Sequence, residues 1–423
     1  MESQPIALAK LPYDVIHHLA SLLSQRDSSH LSRTCRDLHD LLAPGLLRHP
    51  VVSYCLLGNF CRWLRLCNGD NSDRALLLRC LTVQNMGVDA HPAVFERTSG
   101  YLRELLACSR NLTSLTLDGI AEVISPQQLH AALQTLPLLD HIAFAGITPQ
   151  YEDIFVDAPC TPRSLSLSFF PSAVRHPRSS KERFVDPFPF LRHPNLQGIE
   201  TLKIKSARLE AYPVSFPALR RLEADSVWLR GWYAEALAGP FPRLQHLVLS
   251  SVYFPCPIMP DDPDIVPLSQ MHQSRKYAER LRPHAELCRA GLEHATWASL
   301  RVLTVDTALE WYALNVTCPV SCVQLALPNV ELCPDEASQA LADCRPRCLG
   351  VRLLASQMDQ ISRALAKSLE RSPWVTSLVL VVSVNHTSRV DFVSVLNIRG
   401  SGMWRICLLG LCALFTRRLS ATA

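Results

Sequence analysis

Short segments with the pattern Leu-x-x-Leu-x-Leu, or with another aliphatic residue at one of those positions, recur along most of the chain. Many of them follow closely after a proline or an asparagine. The alternation of apolar and other residues predicts a β-strand with one buried face in each segment. The central apolar residues of the segments are, in chain order, Leu81, Leu115, Ile142, Leu165, Leu202, Leu222, Leu247, Leu303, Leu325 and Leu378, and a weaker segment covers residues 348–354.

The spacing of these segments predicts a repeat architecture. Most intervals between the central residues are close to the roughly 20–29 residues of a leucine-rich repeat, and helical patterns lie between strands at 127–136 and 358–370. One strand and one helix cannot bury their apolar sides alone, so the units must stack. We therefore predict an α/β fold with a leucine-rich-repeat-like solenoid over residues 76–385, although the asparagine that usually turns the chain after each strand is mostly absent. An ordinary α/β domain with a doubly wound sheet is the alternative.

Two stretches that interrupt the repeats are rich in proline and charge. They are predicted to be exposed loops, near 171–190 and near 255–275. The first contains a basic cluster that consists of Arg175, His176, Arg178, Lys181 and Arg183. A solvated loop is the simpler interpretation of this cluster, and contact with an acidic or phosphorylated partner is the alternative.

The segment LPYDVIHHLASLLSQRD, residues 11–27, predicts a short amphipathic helix near the N-terminus. Its apolar residues share one helical face, and they are Val15, Ile16, Leu19, Leu22 and Leu23. Pro12 suits the first helical turn, and Asp14 places a negative charge near the positive end of the helix dipole. Asp27 is predicted to cap a second helical stretch that ends at Pro44-Gly45. The apolar side of that stretch consists of Leu31, Cys35, Leu38, Leu41 and Leu42.

Two or three short helices bury too little apolar surface among themselves to be stable. Their apolar faces must therefore pack against the rest of the chain or against another protein. The order of the residues resembles an F-box. That family has a Leu-Pro opening, an amphipathic helix that ends in a leucine pair, a short loop with Asp, and a helix with the pattern Leu-x-x-x-Cys or Leu-x-x-x-Val. With degenerate repeats behind it, the chain is similar to the F-box proteins of fungi.

This resemblance implies a set of expectations about domains and partners. Residues 8–50 would be the F-box, 51–75 a helical linker and 386–423 a C-terminal cap or tail. The F-box would bind a Skp-type adaptor and through it a cullin, and the repeats would bind a protein substrate of an SCF-type ubiquitin ligase. The adaptor-binding residues would be Leu11, Pro12, Val15, Ile16, Leu19, Leu22, Leu23, Leu31 and Cys35.

Two departures from the family pattern keep a second function open. Ser28-Ser29-His30 replaces an apolar pair that usually follows the Asp, and no tryptophan lies near His39 in the sequence. The alternative function is therefore a repeat scaffold that binds proteins without ubiquitination.

No sequence motif indicates an enzyme, a cofactor or a metal site. Walker, G-x-S-x-G, HExxH and dinucleotide-binding patterns are absent. The pairs Cys318/Cys322 and Cys344/Cys348, with Cys333 between them, lack the C-x2-C spacing of most structural zinc sites, so buried cysteine is the favoured interpretation. A net charge of +4 on 42 basic and 38 acidic residues indicates neither a nucleic acid nor an anionic membrane as partner.

The apolar stretch at 406–415 would span only about 15 Å as a helix, roughly half of a bilayer core. We expect a helix there that caps the end of the repeat core, and a tail anchor is the alternative. The first residues contain no basic stretch followed by a long apolar run, and the 16 cysteines are scattered singly. A chain without a signal peptide, in the cytoplasm or nucleus, is therefore expected.

Overall fold

The computed structural model shows a mixed α/β protein whose strands are parallel. Its contacts divide the chain into two units, Met1–Ser166 with His193–Leu196, and Leu167–Arg192 with Gln197–Ala423. The residues that the structure describes are 12–23, 25–66, 72–84, 92–170, 184–209, 214–229, 237–252, 286, 297–326, 334–354, 365, 368–369, 371–383 and 405–410.

The first unit begins with helices and continues into strands that follow one another in chain order. Its helices are α1 (Tyr13–Leu22), α2 (Gln25–Ser32), α3 (Arg36–Arg48), α4 (Leu57–Leu66), α5 (Ser72–Ala75), α6 (Pro92–Cys108) and α7 (Pro126–Leu133). Its strands are β1 (Val51–Ser53), β2 (Cys80–Gln84), β3 (Ser114–Leu117) and β4 (His141–Ile147). Each of these strands pairs in parallel with the next.

Helix α7 illustrates how the sequence sets an element. Ser125 caps its N-terminus and accepts a hydrogen bond from the backbone N–H of Gln128, whose side chain accepts one from the backbone N–H of Ser125. Pro126 occupies the first helical position, where its missing N–H leaves no hydrogen bond unmade. The helix predicted over 127–136 is thus confirmed, with an end at Leu133.

The division between the units passes through β5 (Ser164–Phe169), and the second unit contains most of the strands. Those in its main sheet are β6 (Thr201–Lys205), β8 (Arg221–Asp225), β10 (His246–Ser250), β11 (Val302–Val305), β12 (Cys322–Leu325), β13 (Cys348–Leu354), β14 (Ser377–Ser383) and β15 (Arg405–Gly410). A second, two-stranded parallel sheet consists of β7 (Arg208–Leu209) and β9 (Trp228–Leu229). The described helices of this unit are α8 (Phe188–Leu191), α9 (Ala308–Leu314) and α10 (Pro334–Cys344).

Every segment predicted as a strand from the repeated leucines is a strand. In the first unit Leu81, Leu115 and Ile142 are register partners across β2, β3 and β4. In the second unit the buried row consists of Leu202, Leu222, Leu247, Leu303, Val323, Leu349 and Leu378. One position was wrong: Val323, and not Leu325, is level with Leu303, because both apolar residues of β12 face the core and either fits the pattern.

The turn after several strands is made by serine. Ser206, Ser226 and Ser251 follow β6, β8 and β10 with φ angles of 56°, 53° and 51°. The backbone N–H of Ser206 donates to the Asp225 carbonyl, and that of Ser226 donates to the Ser250 carbonyl. These hydrogen bonds to the next strand give an acceptor to backbone N–H groups that the turn would otherwise leave without one. They hold the left-handed conformation without the asparagine that is usual in leucine-rich repeats.

Several expectations about connecting segments require correction. Residues 51–75 are not a purely helical linker, because Val51–Ser53 forms β1 and pairs with β2. The predicted loop near 171–190 ends in helix α8, where Phe190 is buried and its ring packs 5.2 Å from that of Phe169. Apolar residues such as these drive the end of the segment into the core.

The C-terminal stretch also differs from its prediction. Arg405–Gly410 forms a strand paired in parallel with β14, so the helix expected from residue 406 is wrong for this part. Residues 411–415, the loop near 255–275 and most of the helix predicted at 358–370 lie outside the described residues. Among the helices that the structure describes, none combines the length and the apolar character needed to cross a membrane.

Candidate protein-docking site

Helix α1 begins directly after Pro12. The Pro12 carbonyl accepts hydrogen bonds from the backbone N–H groups of Val15, at 3.0 Å, and Ile16, at 3.2 Å. Asp14 lies exposed in the first turn, where its negative charge interacts favourably with the helix dipole. The predicted helix is therefore confirmed, with Pro12 preceding the first turn instead of lying in it.

A small apolar cluster joins the first three helices. Ile16 of α1 is only 5% exposed and packs with Leu38 and Leu42 of α3. Partly buried side chains complete the cluster, and they are Leu31, Leu41 and Leu46. Among the described side chains of α1 Ile16 is the buried one, and Val15, Leu19 and Leu22 remain exposed.

The helices that follow α1 differ from the single predicted stretch. Asp27 lies inside the first turn of α2 and does not precede it. Residues 33–35 separate α2 from α3, and Cys35 is the exposed N-cap of α3 instead of a member of its buried side. Helix α3 continues through Pro44 and Gly45 to Arg48, so the predicted end was wrong.

An apolar face of α1 is exposed, and it consists of Val15, Leu19 and Leu22 with Leu23 directly after the helix. Their side chains are 43%, 37%, 70% and 38% exposed, respectively. Steps of four and three residues place the first three on one side of the helix. Four of the nine large apolar side chains that are exposed in the described part of the chain therefore lie at this one place. We call these four residues the α1 patch.

The structure divides the predicted adaptor-binding set. Val15, Leu19, Leu22 and Leu23 form the α1 patch, and Pro12 and Cys35 are also exposed. Ile16 is buried and Leu31 is half-buried, so both hold the helices together. Leu11 lies outside the described residues.

Helix α3 is attached to the rest of the first unit. The His39 ring packs edge-on against Trp63 of α4 with 6.3 Å between centroids, and the Arg74 guanidinium lies 5.8 Å from the Trp63 centroid. The backbone N–H of Arg79 donates to the Arg48 carbonyl at 3.1 Å. No tryptophan lies near His39 in the sequence, but α4 brings one to it. A search for local motifs could not find this contact.

Each cysteine pair of the second unit combines one buried and one half-buried residue. Cys318 and Cys344 are buried, and burial raises the pKa of the Cys318 thiol. The Cys344 sulfur accepts a hydrogen bond from Trp311 Nε1 at 3.2 Å and donates one to the Val316 carbonyl at 3.0 Å. Cys333 lies outside the described residues. Within the part of the chain that is described, no group of three or more His, Cys, Asp or Glu residues is arranged to hold a metal ion.

A buried acidic residue has a role in the fold that sequence reasoning missed. Glu310 Oε2 accepts hydrogen bonds from the backbone N–H groups of Asp306, at 3.0 Å, and Thr307, at 3.1 Å. Thr307 Oγ1 accepts one from the Glu310 N–H, so the two residues form a capping box for α9. Burial, with a smaller effect of the Asp306 charge, raises the pKa of Glu310 well above its ordinary value. The Thr-x-x-Glu spacing at the start of the helix was the available signal.

The chain matches no protein-family model and no curated protein. A function must therefore be inferred from the geometry of the described residues. Among the described residues, the α1 patch groups four of the nine exposed large apolar side chains at one place.

Proposed function

We propose that this protein is a substrate-recognition subunit of an SCF-type ubiquitin ligase. The α1 patch binds a Skp-type adaptor, and the parallel strands of the second unit bind the protein to be ubiquitinated. The chain itself makes and breaks no bonds. Its contribution is proximity, because binding both partners raises the effective concentration of substrate lysines near the loaded conjugating enzyme.

The α1 patch is the observation that carries this proposal. An amphipathic helix of a globular protein normally directs its apolar residues into the core of that protein. Among the described side chains of α1 only Ile16 does so, whereas Leu22, at the end of the helix, is 70% exposed. Exposed aliphatic residues grouped on one helix are typical of a surface that a partner protein covers. The Leu-Pro opening and the position near the N-terminus agree with the F-box resemblance.

The solvent-facing side of the second unit supports the other half of the proposal. On β6 and β8 this side is charged and internally paired, with Lys203 Nζ 2.8 Å from Glu223 and Lys205 Nζ 3.0 Å from Asp225. On the strands that follow, the residues level with the first of these pairs are uncharged, and they are Val248, Thr304, Gln324, Gly350 and Val379. Val248, Thr304 and Val379 are half-buried and Gln324 is exposed. Uncharged side chains are desolvated at less cost than charged ones when another protein binds.

The proposal is tested by binding the full chain to a purified Skp-type adaptor by calorimetry. In the test variant, Leu19→Gln and Leu22→Gln are combined, because glutamine keeps good helix propensity and adds no charge. We expect the parent to bind and the variant to lose roughly 30-fold or more in affinity, as for the loss of about 2 kcal/mol at an interface hot spot.

The matched control removes as much exposed apolar surface elsewhere in the first unit. Leu56→Gln and Leu138→Gln, at residues 54% and 51% exposed, are expected to leave adaptor binding unchanged. All variants should keep the thermal unfolding midpoint of the parent within a few degrees. A folded parent that does not bind the adaptor, or a control that loses binding as the test variant does, would contradict the proposal.

A second assay on the same complex distinguishes a ligase receptor from a scaffold that binds proteins without ubiquitination. If the chain is a ligase receptor, addition of the cullin, its RING partner, the activating and conjugating enzymes, ubiquitin and ATP should give ubiquitin conjugates on the bound chain. Adaptor binding without any conjugate would favour the scaffold and reject the ligase assignment.

A further inference from the structure

Two half-buried cysteines are neighbours across adjacent strands of the second unit. Cys322 is the first residue of β12 and Cys348 the first residue of β13, and the two are register partners in a parallel pair. Register partners in a parallel sheet direct their side chains to the same face, and adjacent strands lie about 4.8 Å apart. Both thiols are free, and both lie on the face opposite the buried residues Val323 and Leu349.

The proximity of the two side chains also affects the ionisation of Cys322. Burial and the neighbouring Cys348 together raise the pKa of Cys322 to about 11. The Cys322 proton is thus retained at neutral pH.

This arrangement differs from the pairing that the sequence suggests. The C-x3-C spacing joins Cys318 to Cys322 and Cys344 to Cys348, but Cys318 and Cys344 are buried and the Cys344 sulfur is engaged by Trp311 and Val316. The repeat instead brings together one half-buried member of each pair. A site with two thiols and no third ligand among the described residues suits redox chemistry better than metal binding.

We propose that Cys322 and Cys348 form a modification site at which a peroxide produces a reversible disulfide between β12 and β13. The thiolate of Cys348 attacks one peroxide oxygen, the O–O bond breaks, and Cys348 becomes a sulfenic acid. The sulfur of Cys322 then displaces the hydroxyl group as water, with transfer of its own proton. Overall, two thiols and one hydrogen peroxide give one disulfide and two waters, and the sulfurs are oxidised by the two electrons that the peroxide accepts.

The backbone permits this bond without a large movement. Disulfides form where the Cα atoms are about 4.4–6.8 Å apart, and the separation of adjacent strands falls in that range. Two strands that are already joined by backbone hydrogen bonds leave little freedom for the disulfide to adopt its preferred Cβ–S–S–Cβ dihedral angle. Strained or exposed disulfides are the ones that thiols reduce most readily. The product is therefore a reversible link between neighbouring strands.

The test is peroxide treatment of the full chain, followed by blocking of the remaining thiols with N-ethylmaleimide under denaturing conditions. Trypsin without reductant releases Cys348 in the short peptide 348–352, whereas Cys322 lies in the peptide 302–347. We expect mass spectrometry to find the two peptides linked, with a mass lower by two hydrogens than their sum. Dithiothreitol should separate them.

Two variants locate the bond within the longer peptide, which also contains Cys318, Cys333 and Cys344. Cys322→Ser should abolish the link and leave 348–352 unlinked, with Cys348 as a sulfenic acid or a more highly oxidised acid. Cys318→Ala should retain the link. Both variants should unfold at a temperature close to that of the parent before oxidation.

Three results would overturn the proposal. One is recovery of 348–352 as the maleimide adduct at a peroxide dose that oxidises the exposed Cys55 and Cys108. The second is a link that persists in Cys322→Ser. The third is a link that disappears in Cys318→Ala.

Discussion

Substitution of Leu247 by alanine is expected to lower the free energy of unfolding by about 2–5 kcal/mol. Leu247 is fully buried in β10, where it lies level with Leu222 on one side and Leu303 on the other. The neighbouring side chains are held by strands on both sides and cannot collapse into the space that the missing atoms leave. The cost is therefore the lost burial together with a cavity. Urea unfolding followed by tryptophan fluorescence measures it.

The next residue of the same strand provides the control. Val248 faces solvent and is only half-buried, so Val248→Ala is expected to cost no more than about 1 kcal/mol. Similar losses for the two variants would mean that the buried row does not hold the second unit together. A larger loss for Val248→Ala would reverse the assignment of the two faces of the strand.

The strands could be predicted because the signal is local and repeats. An apolar residue at every second position marks a strand with one buried side, and Leu202, Leu222 and Leu247 carry that signal without reference to any other part of the chain. Their register could not be assigned everywhere. In β12 both Val323 and Leu325 are apolar and buried, and only pairing with β11 shows which is level with Leu303.

The turns after the strands were missed for a different reason. Serine has no strong preference for positive φ, so Ser206 and Ser226 carry no local signal for the conformation that they adopt. Their backbone N–H groups bond to carbonyls of the next strand, some twenty residues further along the chain. Contacts formed only after folding select this conformation.

The candidate site was predicted as a set of residues but not as a surface. Val15 and Ile16 are adjacent and equally apolar, and on a helix they point about 100° apart. Both belong to the apolar stripe that the sequence shows, so periodicity alone cannot separate the residue that contacts α3 from the one that does not. The contacts of Ile16 with Leu38 and Leu42 separate them.

Replacing Glu310 by glutamine is expected to stabilise the protein at neutral pH and to leave it nearly unchanged in acid. The carboxyl is fully buried, and its pKa is raised well above the ordinary value of about 4.3 in the unfolded chain. Between those two pKa values the unfolded state has released the proton and the folded state retains it. The parent therefore loses stability as the pH rises through this window, by up to about 1.4 kcal/mol per pH unit.

Glutamine reproduces the protonated carboxyl without the titration. Its carbonyl oxygen can accept the hydrogen bonds that Glu310 Oε2 accepts from the N–H groups of Asp306 and Thr307. Its amide nitrogen takes the position of Glu310 Oε1. That oxygen has no hydrogen-bond partner among the described residues, so the proton of the neutral acid is expected on it. Below the unfolded pKa the two proteins should therefore be similarly stable.

The measurement is the urea midpoint of both proteins at a series of pH values from acid to mildly alkaline. The difference should be near zero in acid, should grow in favour of Glu310→Gln with rising pH, and should level off once the folded carboxyl ionises. Glu200→Gln, at an exposed residue, is the matched control and should follow the parent throughout. A Gln variant that is less stable than the parent at neutral pH would mean that Glu310 is held as an ion, with the capping N–H groups of α9 outweighing its burial.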